Sequence, residues 1–256
     1  MRRVTVTTTK PLIVLAIGAG MLLCGSAFAD TVPGCSPGLC TWAMYGDGQY
    51  VLGGSFAVDS SGNVILGAPM TATLTDGATM SVNTLTGNTD PVLTFGLGAT
   101  SGSSGDTFSF DFHMPIAVAG QINAASKVSY SLTAGSSAGA QIQPLNGHVV
   151  VAQDVDTTPG GLNPLNKGVD VGDTFFYLTG PDTQNSPVYQ ASSMITGSLQ
   201  YDIMNVTVGF ALSPNSSVGI SGFVSQTPVP LPAAAWLLGS GVLGLVGVAR
   251  RRRSNA

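Results

Sequence analysis

The stretch that most restricts what this chain can fold into is "DTFSFDFHMPI", residues 106 to 116. Phe108, Phe110, Phe112 and Met114 alternate with Thr107, Ser109, Asp111 and His113. A period of two is the repeat of an extended strand, so one face of this segment is apolar and the other polar. "VSYSL" repeats the pattern with Val128, Tyr130 and Leu132, and "NVTVGFAL" with Val206, Val208, Phe210 and Leu212. Turn-forming clusters punctuate these runs: "DSSGN", "TSGSSGD" and "GPDTQNSP". Gly, Asn, Asp and Ser favour turns because they reach φ values or local hydrogen bonds that other residues do not. No window in the body carries the 3.6-residue apolar stripe of a helix. The expected fold is all-β, an antiparallel β-sandwich of jelly-roll-like kind. A closed barrel or a β-solenoid is the alternative, and no fixed repeat supports a solenoid.

Charge is distributed very unevenly. Arg2, Arg3 and Lys10 stand at the start, Arg250, Arg251, Arg252 and Arg253 at the end, and only Lys127 and Lys167 between. All 13 acidic residues are aspartates. Residues 30 to 226 therefore hold two bases and 13 acids, a net of −11. Such a body repels phosphate, so no nucleic-acid partner is expected.

The basic ends read as addresses. Arg2, Arg3 and Lys10, then an apolar run from Leu12 to Cys24, then "AFA" with Ala27 and Ala29 at the small positions, form a cleavable signal peptide over residues 1–29. The run is short for an uncleaved anchor, and "MLL" before Cys24 lacks the small residues of a lipidation site. Cleavage leaves Cys35 and Cys40 in "GCSPGLCTW". In an exported chain such a pair reads as a small disulfide loop rather than as free thiols or a metal site.

Residues 30–226 form the expected extracytoplasmic domain, and "SQTPVPLP" from Ser225 reads as an extended, proline-rich tether. The uncharged run from Ala233 to Ala249 is just long enough for a single transmembrane helix. Trp236 suits the interface at one end, and Arg250 to Arg253 stop transfer at the other. This places the body outside an inner membrane.

A plain anchor does not account for the prolines. The stretch "VPLPAAAWLLGSGVLGLVGVARRRR", residues 229 to 253, resembles the VPLPA variety of the PEP-CTERM sorting signal of exported Gram-negative proteins. The resemblance implies that Val229, Pro230, Leu231, Pro232 and Ala233 are recognised by an exosortase, a membrane-embedded processing enzyme, and that residues 227–256 are a removable sorting signal. Leu231 stands where the commonest form of the motif has glutamate. A sortase tail needs Thr and Gly in its motif, and a GPI signal does not end in arginines. The piece from Gly87 to Ile116 resembles a strand-turn-strand segment of other cargo with this tail, and implies no activity.

Candidate chemistry in the body is thin. "GSSAG" sets Ser137 in a G-x-S-x-G pattern, but the helix that a nucleophile elbow requires does not follow, since Pro144 and Gly147 break it. His113 reads as an exposed histidine on a strand's polar face, and His148 as the same. Asp154, Asp156, Asp170 and Asp173 flank the long loop at residues 157 to 172. They offer oxygen ligands for Ca2+, the one cofactor the sequence suggests, or are ordinary turn aspartates. Trp42, Tyr45 and Tyr50 are candidate sugar-stacking aromatics, with at least two of them expected in the core. The reading is an exported surface or extracellular-matrix protein of structural or adhesive role, associated with biofilm or exopolysaccharide and not an enzyme. The alternatives are a calcium- or carbohydrate-binding module, and third, a secreted hydrolase.

Overall fold

A computed structural model describes residues 40–58, 63–88, 92–119, 121–145, 150–156, 168–172, 174–195 and 200–229. The signal-peptide residues Ala27 and Ala29, Cys35, His148, Asp173, and the sorting motif beyond Val229 with its arginines lie outside them. So does the expected span at residues 233–249; among the described residues no helix is long and apolar enough to cross a membrane.

In chain order the strands are β1 (Thr41–Gly46), β2 (Gln49–Ser55), β3 (Ala57–Val58), β4 (Val64–Ile65), β5 (Met70–Thr73) and β6 (Thr79–Asn88). Next come β7 (Val92–Thr100), β8 (Asp106–Ala119), β9 (Ile122–Ala134), β10 (Ala140–Pro144) and β11 (Val151–Asp156). The last are β12 (Phe176–Leu178), β13 (Thr183–Asn185), β14 (Tyr189–Ile195), β15 (Gln200–Leu212) and β16 (Ser216–Pro228). They form two antiparallel sheets. One runs β12-β10-β15-β8-β1-β2, with β11 also on β15. The other runs β13-β9-β16-β7-β6-β4-β3, with β14 on β9 and β5 on β6. The chain changes sheet at each step from β7 to β10, and the final pair β15 and β16 enters the middle of both sheets.

The alternation read from the sequence is what closes the sandwich. Phe108, Phe110, Phe112 and Met114 of β8 are buried, as are Val206, Val208, Phe210 and Leu212 of β15 and Val128, Tyr130 and Leu132 of β9. The two inner faces meet through rings. Phe112 of the first sheet stacks on Phe95 of β7 in the second, centroids 5.9 Å apart, and on Phe56, 6.4 Å away. Within the first sheet Phe210 packs on Phe108 at 5.6 Å. Opposite Phe95, in register on β16, stands Gly222. A Cβ there would come within 2.1 Å of the Phe95 ring, so the ring occupies the space a side chain would need.

The β1–β2 connection is the two-residue "DG" turn. Asp47 and Gly48 both take positive φ, 50° and 74°, the twist that suits a tight hairpin.

Three expectations change. "GPDTQNSP" is not only turn: Thr183–Asn185 forms β13 against β9. "SQTP" is not a tether, because β16 runs to Pro228 and the Val229 amide still donates to the Gln121 carbonyl at 2.9 Å. The apolar residues Val218, Ile220 and Val224 hold this strand in the core, and pairing to β9 carries its polar end along. Of the long loop, residues 157–167 lie outside the described residues, while Val171 bridges Val151 and is buried.

Candidate functional site

The residues available for chemistry lie on the outward face of the first sheet, toward the end where β10, β12 and the β15–β16 turn meet. Phe176 points inward and is 9% exposed, so its neighbours Phe175 and Tyr177 must point outward; they are 61% and 67% exposed. Phe176 is held by packing on Tyr130, centroids 6.4 Å apart, and so fixes the strand that presents the two outer rings. Tyr177 lies directly across from Gln141 of β10. Gln143, two residues on and also exposed, opposes Ala211 of β15, which opposes Thr107 of β8.

These residues floor one groove made of two depressions that share Gln141, Ser213 and Pro214. Phe175, Tyr177 and Thr179 line one end; Asp47, Asp106 and Thr107 line the other. The groove crosses four strands, a distance of about 14 Å from β12 to β8 at ordinary strand spacing. The β15–β16 turn is tied down along it: the Gln141 amide donates to Ser213 Oγ at 2.8 Å, and the Ser213 amide donates to the Gln141 carbonyl at 3.0 Å.

The far end is built from carboxyls. Asp47 Oδ1 accepts from the Thr107 amide at 3.0 Å, which fastens the hairpin tip to β8. Asp106, 5% exposed, accepts from the Gly102 amide at 2.6 Å through Oδ2 and hydrogen-bonds Asp76 with its carboxyl. Burial pushes the Asp106 carboxyl above the usual carboxylate range, and the nearby charges of Asp76 and Asp47 push it the same way. Asp76, which accepts from the Ala78 amide and from Asp106, is held below that range.

A second polar cluster lies further along the same face. Asp111 accepts from Thr207 Oγ1 at 2.9 Å, and burial raises its carboxyl while that hydrogen bond opposes the rise. His113 is not a free surface histidine. It is half-buried, and its Nδ1 lies 2.6 Å from Oδ1 of Asn205, which is 1% exposed and opposite it on β15. Asn205 and its pairing to both β8 and β11 fix the ring. The hydroxyls of this cluster point to Asp111, and the ring hydrogen bond of His113 goes to an amide; a serine-type nucleophile needs the opposite arrangement.

The remaining candidates fall as follows. Ser137 sits in the turn between β9 and β10, with a strand after it and no helix. Asp154 and Asp156 lie on β11 opposite Asn205 and Ile203. The Val151–Val171 bridge sets Asp170 near the start of that strand, about 13 Å of extended chain from Asp156. Among the described residues no three His, Cys, Asp or Glu side chains converge as a metal site. Cys40 is 1% exposed and disulfide-bonded. Trp42 is buried at 3%, but Tyr50 is 63% exposed and half-buried Tyr45 meets it edge-on at 5.9 Å, so one of the three aromatics is core rather than two. Sequence reading missed Phe175 and Tyr177. Their signal was the run "FFY" after "GDT": three consecutive rings on a strand cannot all face inward.

No family model and no curated protein matches this chain. Among solved structures it is similar to the K3 cleaved adhesin domain of Lys-gingipain from Porphyromonas gingivalis, at 10% identity and a TM-score of 0.26, over 53% of this chain and 74% of that one. It is also similar to TmCBM61 in complex with beta-1,4-galactotriose, at 10% identity and a TM-score of 0.25, over 73% of this chain and 88% of that one. Likenesses this distant carry no argument about activity. The class that fold and site define is an all-β protein of two antiparallel sheets, with an aromatic-ended polar groove on one outer face.

Proposed function

We propose that the chain is an exported surface or matrix protein whose sandwich holds polysaccharide in this groove. One observation carries the reading: Phe175 and Tyr177 expose 61% and 67% of their surface on the same side of an edge strand, beside the amide of Gln141. Exposed rings next to fixed amide and hydroxyl groups suit a pyranose, whose C–H face stacks on a ring while its hydroxyls take the hydrogen bonds. The aspartate-only, low-charge body and the signals at both ends fit delivery to the outside. The signal peptide brings the chain to the membrane. The apolar run at residues 233–249 and Arg250–Arg253 hold it there, and an exosortase-type enzyme reading Val229–Ala233 releases it to the surface.

The test is a glycan array probed with the full chain in detergent, beside Phe175→Ala and Tyr177→Ala. Binding to at least one polysaccharide that drops about ten-fold or more in both variants, with unfolding temperatures unchanged, is the expected result. Binding that survives both substitutions places the sugar elsewhere and refutes the reading.

A further inference from the structure

Resting on that reading of the groove, we infer that it selects uncharged polysaccharide and excludes uronate- or sulfate-bearing polymers by electrostatic repulsion. The far end is lined by Asp47 at the hairpin tip and by Asp106 at the start of β8, whose carboxyl is buried on the inward side against the Gly102 amide and Asp76. Asp47 adds its own carboxyl at the exposed hairpin tip. Among the described residues the only Lys or Arg is Lys127. It pairs with Gln190 and Phe223 in the second sheet, on the opposite side of the sandwich. Among the described residues, therefore, no cation reaches the groove to neutralise an acidic sugar. A polymer laid along about 14 Å, from the rings to Thr107, brings its own charges toward the Asp47 carboxyl. The other polar side chains lining it carry amides and hydroxyls, which both donate to and accept from neutral sugar hydroxyls and carry no net charge. Recognition of acidic sugars commonly uses Arg or Lys, whose bonds to a carboxylate or sulfate are charge-assisted on both sides and can be bidentate.

The experiment measures binding of the full chain in detergent to immobilised uncharged galactan and glucan and to immobilised polygalacturonate, at about 0.15 M and about 1 M salt. The expected result is binding to an uncharged polymer at least about ten-fold tighter than to polygalacturonate at the lower salt, equivalent to about 1.4 kcal/mol. The gap should shrink at the higher salt, where charges more than about 3 Å apart are screened. Polygalacturonate binding as tight as that of the uncharged polymers, and lost in Tyr177→Ala, overturns the selectivity while leaving the groove in place. A gap that salt does not change makes the exclusion one of shape and overturns the electrostatic account. Failure to bind any of the three removes both the selectivity and the groove.

Discussion

Gly222→Ala tests the packing of the two sheets more sharply than any truncation of a large side chain. The added methyl would lie 2.1 Å from Cζ and 2.3 Å from Cε2 of Phe95, far inside contact distance. Phe95 is 1% exposed and stacked on Phe112 at 5.9 Å, so the ring cannot turn away without breaking that stack. Over-packing a filled core costs about 1–3 kcal/mol, and loss of an aromatic pair adds about 0.5–1.5 kcal/mol. The sum is about 2–4 kcal/mol, or a fall of roughly 5–15 °C in the unfolding temperature of a domain this size. Urea unfolding of the full chain followed by tryptophan fluorescence, with Trp42 buried, measures it. Phe95→Leu alone costs stability by thinning the core, but combined with Gly222→Ala it makes room for the methyl. The double variant should then be more stable than the sum of the single effects by at least about 1 kcal/mol. Gly222→Ala within about 0.5 kcal/mol of the parent, or strictly additive costs, would refute the close approach of β16 to the Phe95 ring.

Two further outcomes follow from particular residues. Because the Asp106 carboxyl is raised in the folded protein, its contribution is complete below the unfolded carboxylate value of about 4 and is lost as pH climbs through the raised value. Asp106→Asn keeps an acceptor for Gly102 and a donor for Asp76 without titrating, so thermal melts should show it gaining on the parent as pH rises from about 4 to 7; a gap that moves the other way contradicts the raised Asp106 carboxyl. A chain ended after Gly222 loses the pairing of Phe223–Pro228 with β9 and of Phe223–Ser225 with β7, together with buried Val224. It should lose its cooperative unfolding transition, whereas one ended after Val229 should keep it; equal transitions in the two would return this segment to a tether.

The sheets were legible wherever one face of a strand is buried and the other wet. The apolar and polar residues of β8, β9 and β15 then separate into alternate positions, and their burial follows that order. The tether expected from Ser225 failed because the prolines suggest an extended chain but not whether it is paired. Pro228 has no amide to give, yet it ends a strand whose earlier residues are fixed by Val218, Ile220 and Val224. His113 and Asp111 were assigned to a polar face, correctly, but a polar face need not be an exposed one. Asn205 and Thr207 meet them across the sheet from about ninety residues away, a pairing that no local pattern announces. The groove was the least visible feature. Its rings come from a short edge strand, its amides from β10 and its carboxyls from a hairpin tip and the start of β8, and only the register of β8, β10, β12 and β15 brings them together.

A crystal structure of the protein with an uncharged oligosaccharide tests the account most directly. The account predicts a pyranose ring lying over Tyr177 or Phe175, its hydroxyls hydrogen-bonded to Gln141 or Gln143. A sugar seated on any other face, with both of those rings bare, would contradict it.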